Sequence, residues 1–234
     1  MAEIKISTRA GEMRAWLETP RTNPPWPGVV VLHDIAGMSD DLRRHAQWLA
    51  GEGFLALAPD LFSPGGKTGC FFSLLRDSKA RNARFIADIE ASRDWLARNP
   101  QCSGKVGVVG FSMGGNFALM LAPGHGFSAS SVNYGGPIPP DAATKLAGAC
   151  PIIGSYGAKD RSGVGAAAQL EQVQTQLGID HDVKEYPDAG HSFLNNHRSR
   201  FLRMMMKLAG MGYHAPSAED ARRRIAAFFH WHLD

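Results

Sequence analysis

The chain has 234 residues, 44% of them hydrophobic and 20% charged, the balance of a folded globular chain and not of a disordered one. Lys and Arg number 25 against 22 Asp and Glu, for a formal net charge of +3. That excess is too small and too scattered to point to nucleic acid. No apolar stretch approaches membrane-spanning length, and the opening Met1-Ala2-Glu3-Ile4-Lys5 lacks a secretory pattern.

Glu3–Ser7 and Met13–Thr19 alternate apolar and polar residues around Gly11, which predicts an antiparallel pair at a sheet edge. Pro20–Pro27 holds four prolines and reads as a connecting loop. Val29–Leu32 is a continuous, mostly β-branched run, as expected of a strand buried on both faces. Ser39 or Asp40 then caps a helix that reaches about Gly51. Phe54–Ala58 is a second buried strand, ended by Pro59-Asp60. Ser78–Arg98 carries Phe85, Ile86, Ile89 and Trp95-Leu96 at helical spacing, and Pro100 closes it.

Further on, Val106–Val109 reads as a strand, Met113–Leu121 as a helix, and Ala129–Tyr134 and Pro151–Tyr156 as strands. Gly163–Leu177 is predicted helical, Val183–Tyr186 a short strand, and Ala218–Leu233 a final helix. Apolar strands alternating with amphipathic helices imply an α/β fold, a mostly parallel sheet covered on both faces. No repeat or linker divides the chain, so one domain over 1–234 is expected, in the cytoplasm and without stable membrane insertion. Cys70, Cys102 and Cys150 are odd in number and far apart. They match no zinc or disulfide framework and read as small buried or loop residues.

The densest signal is Gly110-Phe111-Ser112-Met113-Gly114, followed by Gly115. Glycine weakens helices and strands alike, so three within six residues need a local reason. This G-x-S-x-G sits between a predicted strand and a predicted helix, the context of a nucleophile elbow. A hydroxyl lifted above the sheet edge there faces the free N–H groups of a helix start, which favour developing negative charge. The blander reading is an ordinary strand–loop–helix turn.

A serine hydroxyl is a weak nucleophile and needs a base, itself oriented by a third group. In this fold the partners follow in the order acid, then histidine. Asp160 comes just after the strand Pro151–Tyr156 and a glycine turn, at the same sheet edge as Ser112; Asp141, Asp180, Asp182 and Asp188 compete with it. Of nine histidines, His191 lies in the loop Asp188-Ala189-Gly190-His191-Ser192-Phe193 after the last short strand. It is the candidate general base, and a solvated loop histidine is the plain alternative. The oxyanion hole would use the N–H of Met113 and one N–H from the loop His33-Asp34-Ile35-Ala36-Gly37, assigned to Ile35.

Four stretches in order, VVVLHDIAG, LALAPDLF, KVGVVGFSMGG and DAGHSF, give a chain that resembles the dienelactone hydrolase family of α/β-hydrolases over nearly its whole length. The resemblance implies the α/β-hydrolase fold with an antiparallel N-terminal edge, a triad of Ser112, Asp160 and His191, and no metal or cofactor. The dienelactone enzyme itself carries a cysteine nucleophile where Ser112 stands here. Its glutamate after the loop histidine corresponds to Asp34, one methylene shorter, which is read as binding substrate, orienting the loop or having no catalytic part. Its carboxylate-binding arginine soon after the catalytic histidine has no counterpart before Arg198. A serine version suits ordinary esters.

Phe62, Phe71, Phe72, Tyr134 and Phe193 are the candidate pocket residues. The segment His197–Tyr213 interleaves arginines with Met204, Met205 and Met206; it reads either as a cap over the pocket or, the preferred reading, as an amphipathic helix packed on the body. The expectation is a serine hydrolase that cleaves carboxylic esters or lactones through an acyl-enzyme and does not bind nucleic acid. The alternatives are a carboxymethylenebutenolidase-like enzyme for a carboxylate-bearing lactone, with Arg81 or Arg198 reaching the substrate, a peptidase or acyltransferase on the same triad, and a non-catalytic ligand-binding module.

Overall fold

The computed structural model describes residues 2–63, 78–196 and 211–234. Phe71, Phe72 and Arg198 lie outside them, as does 197–210 of the candidate cap, and of residues 78–81 only the helical backbone is described. Eight strands are hydrogen-bonded in the order β1-β2-β4-β3-β5-β6-β7-β8. The chain divides into two compact units, Met1–Val106 and Gly107–Asp234, and the division falls inside β5.

In the first unit β1 (Ala2–Thr8) pairs antiparallel with β2 (Gly11–Glu18), and β2 pairs antiparallel with β4 (Leu55–Pro59). β3 (Trp26–Leu32) runs parallel to β4. The strand begins three residues before the apolar run Val29–Leu32. Trp26 is buried, and its N–H donates to the Gln101 carbonyl at 2.9 Å, so the strand starts ahead of Pro27. Helix α1 (Asp40–Gly51) starts where the sequence predicts. Ser39 Oγ accepts the Leu42 N–H at 3.2 Å, and Asp40 and Asp41 place negative charge on the first turn. Helix α2 (Ser78–Ala97) buries Phe85, Ile89 and Leu96, while Ile86 and Trp95 are only half-buried.

The second unit is built on β5 (Cys102–Phe111), β6 (Ala129–Asn133), β7 (Ile152–Gly157) and β8 (His181–Tyr186), all parallel. β5 is longer than the apolar run Val106–Val109, because its polar start, Cys102–Lys105, is also extended. Between the strands come α3 (Met113–Leu121), the short α4 (Ala142–Lys145), which the periodicity does not reveal, and α5 (Ala166–Leu177). Helix α6 (Ala215–Leu233) begins three residues earlier than predicted, with Pro216 in its first turn, where a missing N–H costs nothing.

β1 and β8 are the two end strands. On β1, Lys5 pairs with Glu12 at 2.8 Å. On β8, Asp182 accepts from Arg224 Nε at 3.1 Å, and Lys184 Nζ and Tyr186 Oη–H both donate to Asp220 Oδ2, at 2.7 and 3.0 Å. These bonds tie α6 to the last strand. The groups are partly exposed, Arg224 and Asp220 being the less so, and the bonds contribute modestly to stability.

His33, at the end of β3, is fully buried. Its Nδ1–H donates to the Asp34 carbonyl at 2.6 Å, and its Nε2 accepts the Leu61 N–H at 3.3 Å. Burial pushes its pKa down, against the Asp34 carbonyl and the nearby Asp60 and Asp34 charges, which favour the cation. The folded ring therefore refuses a proton that the unfolded chain accepts, and stability falls as pH drops below about 6.5, the ordinary histidine value. Thermal unfolding followed from pH 7.5 to pH 5 should show a steeper loss for the wild type than for His33→Gln, which has no ring to titrate.

Candidate active site

Ser112 closes β5 and opens α3 with φ 54° and ψ −111°. A positive φ at a non-glycine residue costs about 1–3 kcal/mol and persists only where the surroundings enforce it. The enforcement here is local. Ser112 N–H donates to the Asn133 carbonyl at 3.0 Å, and Asn116 N–H returns to the Ser112 carbonyl at 3.2 Å. A Cβ on Gly110 would lie 1.9 Å from the Gly114 carbonyl oxygen, so a side chain at this position would force the turn to shift.

Asp160 sits in the turn after β7, only 6% exposed. His191 sits in the loop after β8. A Cβ on Gly157 would meet the Ala189 and Gly190 carbonyl oxygens at 2.6 and 2.7 Å. Lys159 N–H and Ala158 N–H bond to the Ala189 and Tyr186 carbonyls, both at 2.9 Å. These contacts draw the two loops together. His191 Nδ1–H donates to Asp160 Oδ2 at 2.6 Å, and Ser112 Oγ lies 2.9 Å from His191 Nε2. The structure thus brings Ser112, His191 and Asp160 into one hydrogen-bonded chain.

Burial alone would raise the Asp160 pKa. Bonds from His191 and from the Ser162 hydroxyl and N–H outweigh it and hold the carboxyl below its usual range. Asp160 therefore stays an anion, able to fix one imidazole tautomer and to stabilise a positive ring.

Tyr134 and Phe193 are placed differently from the expectation that they line the pocket. Both are 0% exposed. Tyr134, at φ 39°, sets its ring edge-on to His191 with centroids 5.3 Å apart, and packs on Phe193 at 5.5 Å. Its hydroxyl donates to Asn195 Oδ1 at 2.6 Å. The two rings support the histidine loop from within the core, because an aromatic run beside β6 and β8 is more stable buried than lining a wet cleft. Met211–Tyr213, the described end of the candidate cap, adjoins the same loop: Gly212 N–H donates to the His191 carbonyl at 2.8 Å.

Met113 is the first residue of α3, half-buried. In the first unit, Ile35 lies on the loop after β3 and is 70% exposed. Asp34 Oδ1 accepts the Ala36 N–H at 2.8 Å, so its carboxylate shapes that turn. Phe62 packs on His33, with ring centroids 4.7 Å apart. Two contributors are not read from the sequence. Asn195 has no motif to mark it. Ser162 is marked faintly, as a hydroxyl two residues beyond a turn aspartate. Among the described residues no group of three His, Cys, Asp or Glu side chains could hold a metal ion, and no helix is long and apolar enough to cross a membrane.

The profile of the dienelactone hydrolase family matches residues 13–233. A relative from Escherichia coli K12, provisionally named carboxymethylenebutenolidase, is 28% identical over 242 residues, 96% of this chain and 84% of its own. One from Yersinia pestis with the same provisional name is 26% identical over 250 residues, 98% of this chain and 88% of its own. A crystal structure provisionally assigned as a dienelactone hydrolase, from Klebsiella pneumoniae, is similar with a TM-score of 0.79 at 24% identity, covering 98% of this chain and 97% of that one. The likeness shows an α/β-hydrolase fold.

The elbow makes a specific demand. Gly110→Ala should lower stability by about 1–3 kcal/mol, the usual cost of overpacking, and disturb the Ser112 turn. Urea unfolding measures the first effect, and loss of labelling by a serine-directed fluorophosphonate measures the second.

Proposed function

Because the chain belongs to the dienelactone hydrolase family, we propose that it is a serine hydrolase that cleaves carboxylic esters or lactones through an acyl-enzyme. The observation that carries this reading is the unbroken chain Ser112 Oγ, His191 Nε2, His191 Nδ1 and Asp160 Oδ2, with links of 2.9 and 2.6 Å.

Ser112 Oγ attacks the carbonyl carbon while His191 Nε2 takes its proton. Asp160 holds the imidazole with Nδ1 protonated and offsets the positive charge that the ring gains. The negative charge on the tetrahedral oxygen falls at the start of α3, where the Met113 N–H is the donor; such a donor accounts for about 10²–10³ in turnover. His191 then protonates the leaving alcohol, or the alkoxide end of an opened lactone. Water, deprotonated by the same ring, releases the acid and restores Ser112. No metal or cofactor takes part in any of these steps.

A second reading has its own support. The Escherichia coli and Yersinia pestis relatives carry a lactone hydrolase's name, so a carboxylate-bearing dienelactone is the alternative substrate. The neutral ester is preferred because Phe193-Leu194-Asn195-Asn196 follows the histidine loop without an arginine.

The test is hydrolysis of p-nitrophenyl esters from acetyl to long acyl, beside a carboxylate-bearing dienelactone, by wild type and Ser112→Ala. Ester turnover should fall by about 10³-fold or more in the variant, and the preferred acyl length measures the acyl site. Turnover of the lactone alone would favour the second reading. Equal, slow rates for both proteins on every substrate would sink the hydrolase mechanism.

A further inference from the structure

Ser162 is not one of the three residues of the hydrogen-bonded chain, yet it touches two of them. Its hydroxyl donates to Asp160 Oδ1 at 2.6 Å, and its backbone N–H donates to the same oxygen at 2.9 Å. The other carboxylate oxygen, Oδ2, receives the His191 Nδ1–H. Ser162 Oγ also stands 3.4 Å from His191 Nδ1, capping the Asp160–His191 pair from one side.

Both carboxylate oxygens are therefore engaged, from different directions. Turning the carboxylate about its Cβ–Cγ bond would weaken the Ser162 and His191 bonds together. The backbone bond alone would close the turn, as aspartates commonly do two residues along the chain. The hydroxyl bond is additional and charge-assisted, and only a side chain with a donor at this position can make it.

We propose that Ser162 is a positioning residue for catalysis: its hydroxyl fixes the plane of the Asp160 carboxylate and so aims the His191 imidazole at Ser112. The role rests on the triad reading above. A carboxylate free to swing would still carry its charge, but it would hold the ring over a range of angles. Proton transfer from Ser112 demands a narrow one. The Ser162 hydroxyl acts on Asp160 and, through it, on His191, so the effect falls on turnover and not on binding.

The experiment compares wild type, Ser162→Ala, Ser162→Thr and Ser112→Ala on p-nitrophenyl acetate, reading kcat, KM and the pH dependence of kcat/KM. Ser162→Ala should lower kcat about five- to tenfold with KM changed by less than about twofold. The acid limb of its profile should move to higher pH, since a carboxylate relieved of one donor pulls harder on the imidazole proton. Ser162→Thr, which keeps the hydroxyl, should restore both. Ser162 is exposed, so the variants fold, and their unfolding temperatures verify this. A Ser162→Ala enzyme with wild-type kcat and profile overturns the positioning role and leaves the triad standing. A threonine variant as slow as the alanine variant overturns it too. A Ser112→Ala protein as active as wild type overturns the triad, and the role of Ser162 with it.

Discussion

The steric contact that organises the second unit is the one at Gly110. The backbone must pass from β5 into α3 within one residue, and the Gly114 carbonyl then occupies the space where a side chain at position 110 would stand. That crowding goes with a positive φ at Ser112, rare for a residue with a side chain, and the hydroxyl lies 2.9 Å from His191 Nε2. Strain of this kind is local and fixed, so it needs no ligand to hold it in place. The adjoining helix start, with its unsatisfied N–H groups, comes with the same turn at no further cost.

The partners of Ser112 reach it by a second close approach, at Gly157. There the chain leaving β7 passes against the carbonyls of Ala189 and Gly190. Parallel strands alone would leave the loops after β7 and β8 free to diverge. Backbone bonds at Ala158 and Lys159 prevent this and fix where Asp160 and His191 stand. Beneath them Tyr134, Phe193 and Asn195 form a packed floor, in which the Tyr134 hydroxyl donates to Asn195 Oδ1. The site is therefore set by main-chain geometry together with this floor and the Ser162 bond to Asp160.

Much of this is legible in the sequence because periodicity and glycine placement are local signals. Val29–Leu32 and Phe54–Ala58 read as buried strands because a strand covered on both faces has no polar alternation to break the run. The interval from Ser112 to His191 is read from strand ends, and those ends follow turns that glycine, proline and aspartate announce. What escaped is non-local. β3 begins at Trp26 because of a bond to Gln101, seventy-odd residues away in sequence, which no window around Pro27 contains. α4 is a single turn, too short to show a period. Tyr134 and Phe193 are aromatic residues near the site, and composition cannot say whether such rings face a cleft or the core; their burial depends on each other and on Tyr186. Ser162 escaped because a hydroxyl two residues beyond a turn aspartate is a faint signal until its partner's direction is known.

The charges on the two end strands bear on how the protein behaves in a crowded solution. An end strand offers a row of unused N–H and C=O groups that another chain can copy. β8 answers with Asp182, Lys184 and Glu185 in a run of six residues, and Arg224 and Asp220 of α6 lean on three of its side chains, Asp182, Lys184 and Tyr186. β1 carries Glu3 and Lys5, the latter paired with Glu12. A neighbouring strand trying to extend the sheet at either end would have to strip water from these groups and break their ion pairs. Growth into ribbons or fibrils is thereby disfavoured, by residues that contribute little to the stability of the single molecule.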